Sequence, residues 1–213
     1  SDSQLLIVIS AMGKTTNALE KIVALQRQGA AFEKELSDIQ EYHINIMNDL
    51  FVRDQPIFKT ITDQFHKIKE EAIKDNSYDQ VYDQVVSMGE VISTLIISDY
   101  LKQENAGVQW IDARKMICTD NNFREGKVDW EKSKVKIQAL GDKLANSTFV
   151  TQGFVGGTED GLTTTLGREG SDYSAAIFAS CLKAESVTIW KDVPGVMNAD
   201  PKRLPAAIEI GRA

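Results

Sequence analysis

Five apolar residues in succession, Leu5-Leu6-Ile7-Val8-Ile9, stand near the start of this chain with no polar position among them. A strand with one wet face would alternate. A continuous, partly β-branched run instead reads as a strand buried on both faces, which is the habit of parallel sheets. The run is too short to span a bilayer, and no basic region or cleavage pattern precedes it, so no secretory signal is expected. Ser10 to Thr16 is a polar turn. From Asn17 to Gln28, Leu19, Ile22, Val23 and Gln26 recur at helical spacing, and Gly29 ends the segment. The opening is therefore strand, turn, helix.

The same alternation continues. Ala31 to Phe51 and Ile57 to Lys74 predict two helices parted at Gln55-Pro56, with stripes through Phe32, Leu36, Ile39, Ile46 and Leu50 and through Phe58, Ile61, Phe65 and Ile68. His43 and His66 lie on them without partners at ligand spacing and read as surface or interface histidines. After a loop and cap at Asp75-Asn76-Ser77, Val81, Val85, Met88, Ile92 and Leu95 predict one buried helix running to about Gln103. Strands are expected at Val108–Asp112, Phe149–Phe154 and Ser186–Trp190, and helices at Trp130–Leu144 and Asp172–Leu182. Strands alternating with helices define an α/β chain with a mainly parallel sheet covered on both faces. No repeat, low-complexity tract or linker interrupts it.

Composition narrows the partners. The formal net charge is −7 over 213 residues, which argues against a nucleic-acid binder yet leaves room for a locally positive anion site. Cys118 and Cys181 form no metal spacing and are expected to be reduced thiols in a cytoplasmic protein.

The chemistry gathers between Val150 and Ala179. Six of the fourteen glycines fall from Gly153 to Gly170, interleaved with Thr163-Thr164-Thr165, Arg168, Ser171 and Asp172, and a helix follows. A glycine-rich loop opening on a helix N-terminus offers N–H groups to phosphate or carboxylate. Arg168 is suited to a bidentate carboxylate pair, and Asp172 either caps the helix or orients a lysine. Gly13-Lys14-Thr15 resembles the end of a P-loop, but Val8 occupies the position where that loop needs glycine, so a true P-loop is rejected. Gly89 lies inside a predicted helix, where glycine costs about 1 kcal/mol relative to alanine, and so marks the close approach of another segment. Its neighbour Glu90 is either a solvated carboxylate or the partner of a ligand ammonium. Trp190 to Val196 reads as a strand end entering a turn fixed by Pro194 and Gly195, at an edge where α/β sheets bind ligands.

Taken together, Val8–Asn17, Gly89-Glu90 with Ser93-Thr94, Val150–Phe154, Thr163–Ala176 and Trp190–Pro201 resemble the catalytic domain of the aspartate kinases, in the amino acid kinase family. The resemblance implies a three-layer α/β/α sandwich and transfer of the γ-phosphoryl group of MgATP to the side-chain carboxylate of L-aspartate, the first step towards lysine, threonine and methionine. By position it implies that Ser10, Thr16, Phe154, Arg168 and Ser171 contact aspartate and that Glu90 holds its ammonium group. Lys191, Asp192 and Lys202 would meet the nucleotide, and Asp172 would orient catalytic lysines. Magnesium would be held by the ATP phosphates, with no protein ligand named. A homodimer is expected of the full-length protein, with neither a nucleic-acid nor a membrane partner.

The chain departs from the family in places. Relatives carry a Lys-Phe-Gly-Gly motif upstream of the segment matching Leu5–Thr16, and a later His-Pro motif with a nucleotide-binding lysine; neither is in this sequence. Met197 stands where many relatives have tyrosine, Lys202 where they have arginine, and Lys191 where some have threonine. Residues 1–213 are thus expected to be one catalytic domain, incomplete at both ends, without a regulatory domain and with little activity alone. The alternatives are another amino acid kinase, such as one acting on acetylglutamate or a nucleoside monophosphate, and a fragment that keeps the aspartate pocket without turnover.

Overall fold

The computed structural model describes residues 4–104, 107–141, 147–191, 195–201 and 203–211. Two compact units divide at Lys183 and Ala184.

The first unit is built on three parallel strands: β1 (Leu5–Ile9), β2 (Val108–Trp110) and β3 (Thr148–Gln152), with β3 in the centre. Leu5 pairs with Thr148 and Ile9 with Gln152 on one side, and Val108 with Thr148 on the other. The three strands therefore end at one edge. Between β1 and β2 run α1 (Thr15–Arg27), α2 (Glu33–Leu50), α3 (Pro56–Ala72), α4 (Tyr78–Val86) and α5 (Met88–Glu104). Their apolar stripes form one core through Leu19, Ile22, Met47, Ile61, Phe65, Val85 and Ile92. Leu6 and Val8 turn to a second core formed by α6 (Ala113–Met116), α7 (Trp130–Gln138) and α8 (Gly170–Leu182), around Ile117, Ile137, Ile177 and Phe178. The two-faced burial expected of β1 is only partial, since Leu5 is exposed and Leu6–Ile9 are half-buried; the layering is the α/β/α arrangement expected.

Several local expectations are corrected. The helix drawn from Val81 to Gln103 is two helices, α4 and α5, parted at Ser87. The glycine-rich stretch contains an antiparallel hairpin, β4 (Val155–Gly157) with β5 (Thr163–Thr165). Three threonines in succession are good strand formers, and Gly156 and Gly157 are required because a Cβ there would fall 2.6 Å from Thr119 Cγ2 and 2.2 Å from the Arg114 carbonyl oxygen. His43 is fully buried rather than superficial. The buried line of α2 runs Leu36, Ile39, His43, Met47, leaving Ile46 only half-buried. Of the helix expected at Trp130–Leu144, α7 accounts for Trp130–Gln138; residues 142–146 lie outside the described residues. Cys118 and Cys181 are buried free thiols.

The second unit contains a two-stranded antiparallel pair, β6 (Val196–Met197) with β7 (Glu209–Gly211). Ser186–Trp190 forms no strand; these residues are exposed, Trp190 at 91%. Their apolar side chains find no cover in the described unit, and without it alternation alone does not make a strand.

Candidate active site

The site lies where the parallel strands end, the usual ligand edge of an open α/β sheet. Gly153 N–H donates to the Ile9 carbonyl (3.0 Å), so the segments leaving β1 and β3 run side by side. Ser10 leaves β1, and its carbonyl accepts a bond from Ser93 Oγ of α5 (2.8 Å). Ala11 N–H donates to Glu90 Oε1 (3.3 Å). The Ala11 amide of this turn is thus committed to a carboxylate of α5. Thr16, half-buried, sits in the first turn of α1.

Gly89 is the close-approach point its helical position predicts. A Cβ there would stand 3.0 Å from Ala11 Cβ and 3.4 Å from both Leu19 and Thr15. The missing side chain lets α5 press against the β1–α1 turn and delivers Glu90 to it. Glu90 is 3% exposed, and its Oε2 has no hydrogen-bond partner among the described residues. Burial pushes this carboxyl up to about 8, with the backbone hydrogen bonds opposing only in part. Of the two readings open in the sequence, the solvated carboxylate is excluded.

Beneath Glu90 is a buried polar cluster with little sequence signal. Thr94 Oγ1 donates to the Glu90 carbonyl (2.8 Å) and accepts from Trp110 Nε1 (3.0 Å) and Gln152 Nε2 (2.8 Å). Gln152 Oε1 in turn accepts the Ala113 N–H (2.7 Å). The cluster ties α5 to β2 and β3 at their carboxyl ends.

Phe154 follows β3 at φ +68°. The start of α8 packs on this bend through two glycines. A Cβ on Gly170 would lie 2.6 Å from the Phe154 ring, and one on Gly153 would lie 2.7 Å from Ser171 Cβ. Arg168 is exposed, between Gly167 at φ +76° and Glu169 at φ +57°. Ser171 and Asp172, both half-buried, occupy the first turn of α8, where the helix dipole favours anions. The structure thus brings Ser10 beside the helix of Glu90 and seats Ser171 against the bend at Phe154, while Thr16 opens α1 and Arg168 and Asp172 flank the start of α8. Lys191 is an exposed residue of the second unit, and Asp192 and Lys202 lie outside the described residues.

This chain belongs to the amino acid kinase family: residues 1–213 match it throughout. Within that family its relatives are aspartokinases. It is 34% identical over 210 residues to lysine-sensitive aspartokinase 3 of Escherichia coli, covering 96% of this chain and 46% of that protein. It is 33% identical to the chloroplastic aspartokinase 1 of Arabidopsis thaliana, covering 92% of this chain and 36% of the other. The crystal structure of E. coli aspartokinase III with aspartate and ADP superposes with a TM-score of 0.86 at 34% identity, covering 97% of this chain and 46% of that one. The same enzyme with lysine and aspartate gives 0.82 at 32% identity, covering 99% and 47%. The chain therefore spans less than half the length of these relatives.

Proposed function

We propose that this chain carries the phosphoryl-transfer region of an aspartate kinase, which moves the γ-phosphoryl group of ATP onto the side-chain carboxylate of L-aspartate to give 4-phospho-L-aspartate, a step in amino-acid biosynthesis. The observation that carries the reading is Glu90: a buried carboxylate with one oxygen unpartnered among the described residues, brought to the β1–α1 turn by the close approach that Gly89 allows. A free ammonium group supplies what Oε2 lacks. An acceptor whose amine is acylated does not, which separates this reading from an acetylglutamate kinase.

Arg168 and Ser171, with the amides at the start of α8, hold the carboxylates of the acceptor, while Ser10, Thr16 and Phe154 close its sides. The nucleophile is an aspartate carboxylate, ionised at pH 7, so no general base is required. The protein's task is to align two anions and neutralise charge on the transferring group. Asp172 follows Ser171 and orients a cationic side chain at that group. Lys191, Asp192 and Lys202 are assigned to the nucleotide. Magnesium is assigned to the ATP phosphates, with no protein ligand named. Among the described residues no helix is long and apolar enough to cross a membrane; we place the enzyme in the cytoplasm, as a homodimer in its full-length form.

The test is trapping of the acyl phosphate by hydroxylamine in the full-length protein, with aspartate, glutamate and N-acetylglutamate compared at equal concentration. Hydroxamate from aspartate alone is expected. Preference for N-acetylglutamate would overturn the assignment of Glu90 and of the substrate together.

A further inference from the structure

Asp83 is fully buried on α4, and the aspartate-binding reading leaves it unused. Its Oδ2 accepts the Arg124 N–H (2.8 Å) and the Thr165 N–H (2.9 Å), and its Oδ1 accepts the Thr165 hydroxyl (2.7 Å). The adjacent Gln84 donates from Nε2 to the Thr163 carbonyl (2.8 Å) and accepts the Thr163 N–H at Oε1 (3.1 Å). Gly126 N–H donates to the Thr165 carbonyl (2.9 Å). These groups occupy the edge of β5 that faces away from β4, so two side chains of α4 and one loop amide take the place of a neighbouring strand.

The position of this tie matters. Thr165 leads through Leu166 and Gly167 directly into Arg168, and α4 leads through the buried Ser87 into α5 and Glu90. The guanidinium of Arg124 stands 4.4 Å over the Tyr82 ring and 3.5 Å from Asp79, so this loop is fastened to α4 a second time. We infer that Asp83 is a positioning residue for the acceptor pocket: by binding Thr165 it fixes the segment carrying Arg168 relative to the helices carrying Glu90. The inference rests on the aspartate-binding reading above. Three donors converge on one side chain: a carboxylate accepts all three, and its isosteric amide accepts both N–H groups at its oxygen while donating to the Thr165 hydroxyl.

The test compares Asp83→Ala and Asp83→Asn in the full-length protein by steady-state kinetics in both substrates. Asp83→Ala is expected to raise KM for aspartate at least tenfold while KM for MgATP stays within twofold. Asp83→Asn is expected to return KM for aspartate to within threefold of wild type, because its oxygen accepts both N–H groups and its amide donates to the Thr165 hydroxyl. An unchanged aspartate KM in a folded Asp83→Ala protein overturns the inference, as does a parallel loss in both substrates and in kcat. Should Asp83→Ala fail to fold, Thr165→Val removes the hydroxyl bond alone; a threefold or greater rise in aspartate KM with MgATP unaffected supports the tie, and no change refutes it. Should the wild type not phosphorylate aspartate, the functional reading falls separately. Amide exchange over Thr163–Ser171 then decides: faster exchange in Asp83→Ala, or in Thr165→Val, retains the tie, and unchanged exchange removes it.

Discussion

Gly153 lies against Ser171 with no room for a side chain: a Cβ at Gly153 would stand 2.7 Å from Ser171 Cβ and 2.8 Å from its Cα. The first turn of α8 is thereby seated on the end of β3. Gly153→Ala is expected to destabilise the protein by about 1–3 kcal/mol, the usual cost of overpacking, and to displace Ser171. Urea unfolding and aspartate KM read the two effects. Because the Ser171 backbone is itself in the way, adding Ser171→Gly is expected to relieve only part of the loss; full recovery would show that the side chain alone sets the contact.

The role proposed for Glu90 predicts that aspartate binding is proton-linked. Its carboxyl, pushed up to about 8 by burial, is mostly protonated at pH 7 in the free site, whereas an ammonium partner favours the ionised form. Binding at pH 7 is expected to release close to one proton, and apparent affinity to rise about tenfold per pH unit from about 6 to about 8. Titration calorimetry in two buffers of different ionisation enthalpy measures the release. Glu90→Gln is expected to bind weakly with no proton release. In the ligand-free protein the folded carboxyl titrates above its unfolded value, so its contribution to stability is lost as pH rises towards about 8, a trend Glu90→Gln abolishes.

His43 is linked in the opposite sense. Its Nδ1–H donates to the Ile39 carbonyl (2.8 Å), and burial holds its pKa below the ordinary histidine value. The unfolded chain takes up a proton that the buried ring refuses, so stability is expected to fall as pH drops through about 6.5 and below. Urea melts at pH 5.5 and 7.5 are expected to differ less for His43→Leu than for wild type. An equal difference would assign the acid sensitivity elsewhere.

Arg168→Lys tests the carboxylate clamp. A lysine keeps the charge and loses the planar fork. A loss of about 1.5–3 kcal/mol, the range for a charge-assisted hydrogen bond, corresponds to roughly 10- to 150-fold in KM for aspartate. KM for MgATP is expected to stay near wild type, and an equal rise in both would place Arg168 outside the acceptor pocket.

What the sequence disclosed depended on how local the cause was. The unbroken run Leu5–Ile9 announced a strand of the parallel sheet, though one half-buried rather than buried on both faces, and Gly89 announced a close approach, because each departs from a local preference. Arg168, Ser171 and Asp172 stood out because their loop and helix are contiguous. Asp83 did not, since a carboxylate on a helix looks solvated until Thr165 and Arg124 are brought to it from far along the chain. His43 was misread for the same reason: its neighbours Thr15 and Phe65 come from two other helices. Thr163–Thr165 passed for loop because the edge that steadies them belongs to α4. Thr94 and Gln152 carry no motif; only their shared bond reveals them.

The sheet order also governs how the molecule is made. Its middle strand is the last of the three to leave the ribosome, since Leu5 and Val108 both pair with Thr148. Until Thr148–Gln152 has emerged, β1 and β2 have no bridge between them, and β1 waits for this partner through the synthesis of seven helices, α1 to α7. Such long-range closure is slow and leaves the nascent chain open to aggregation.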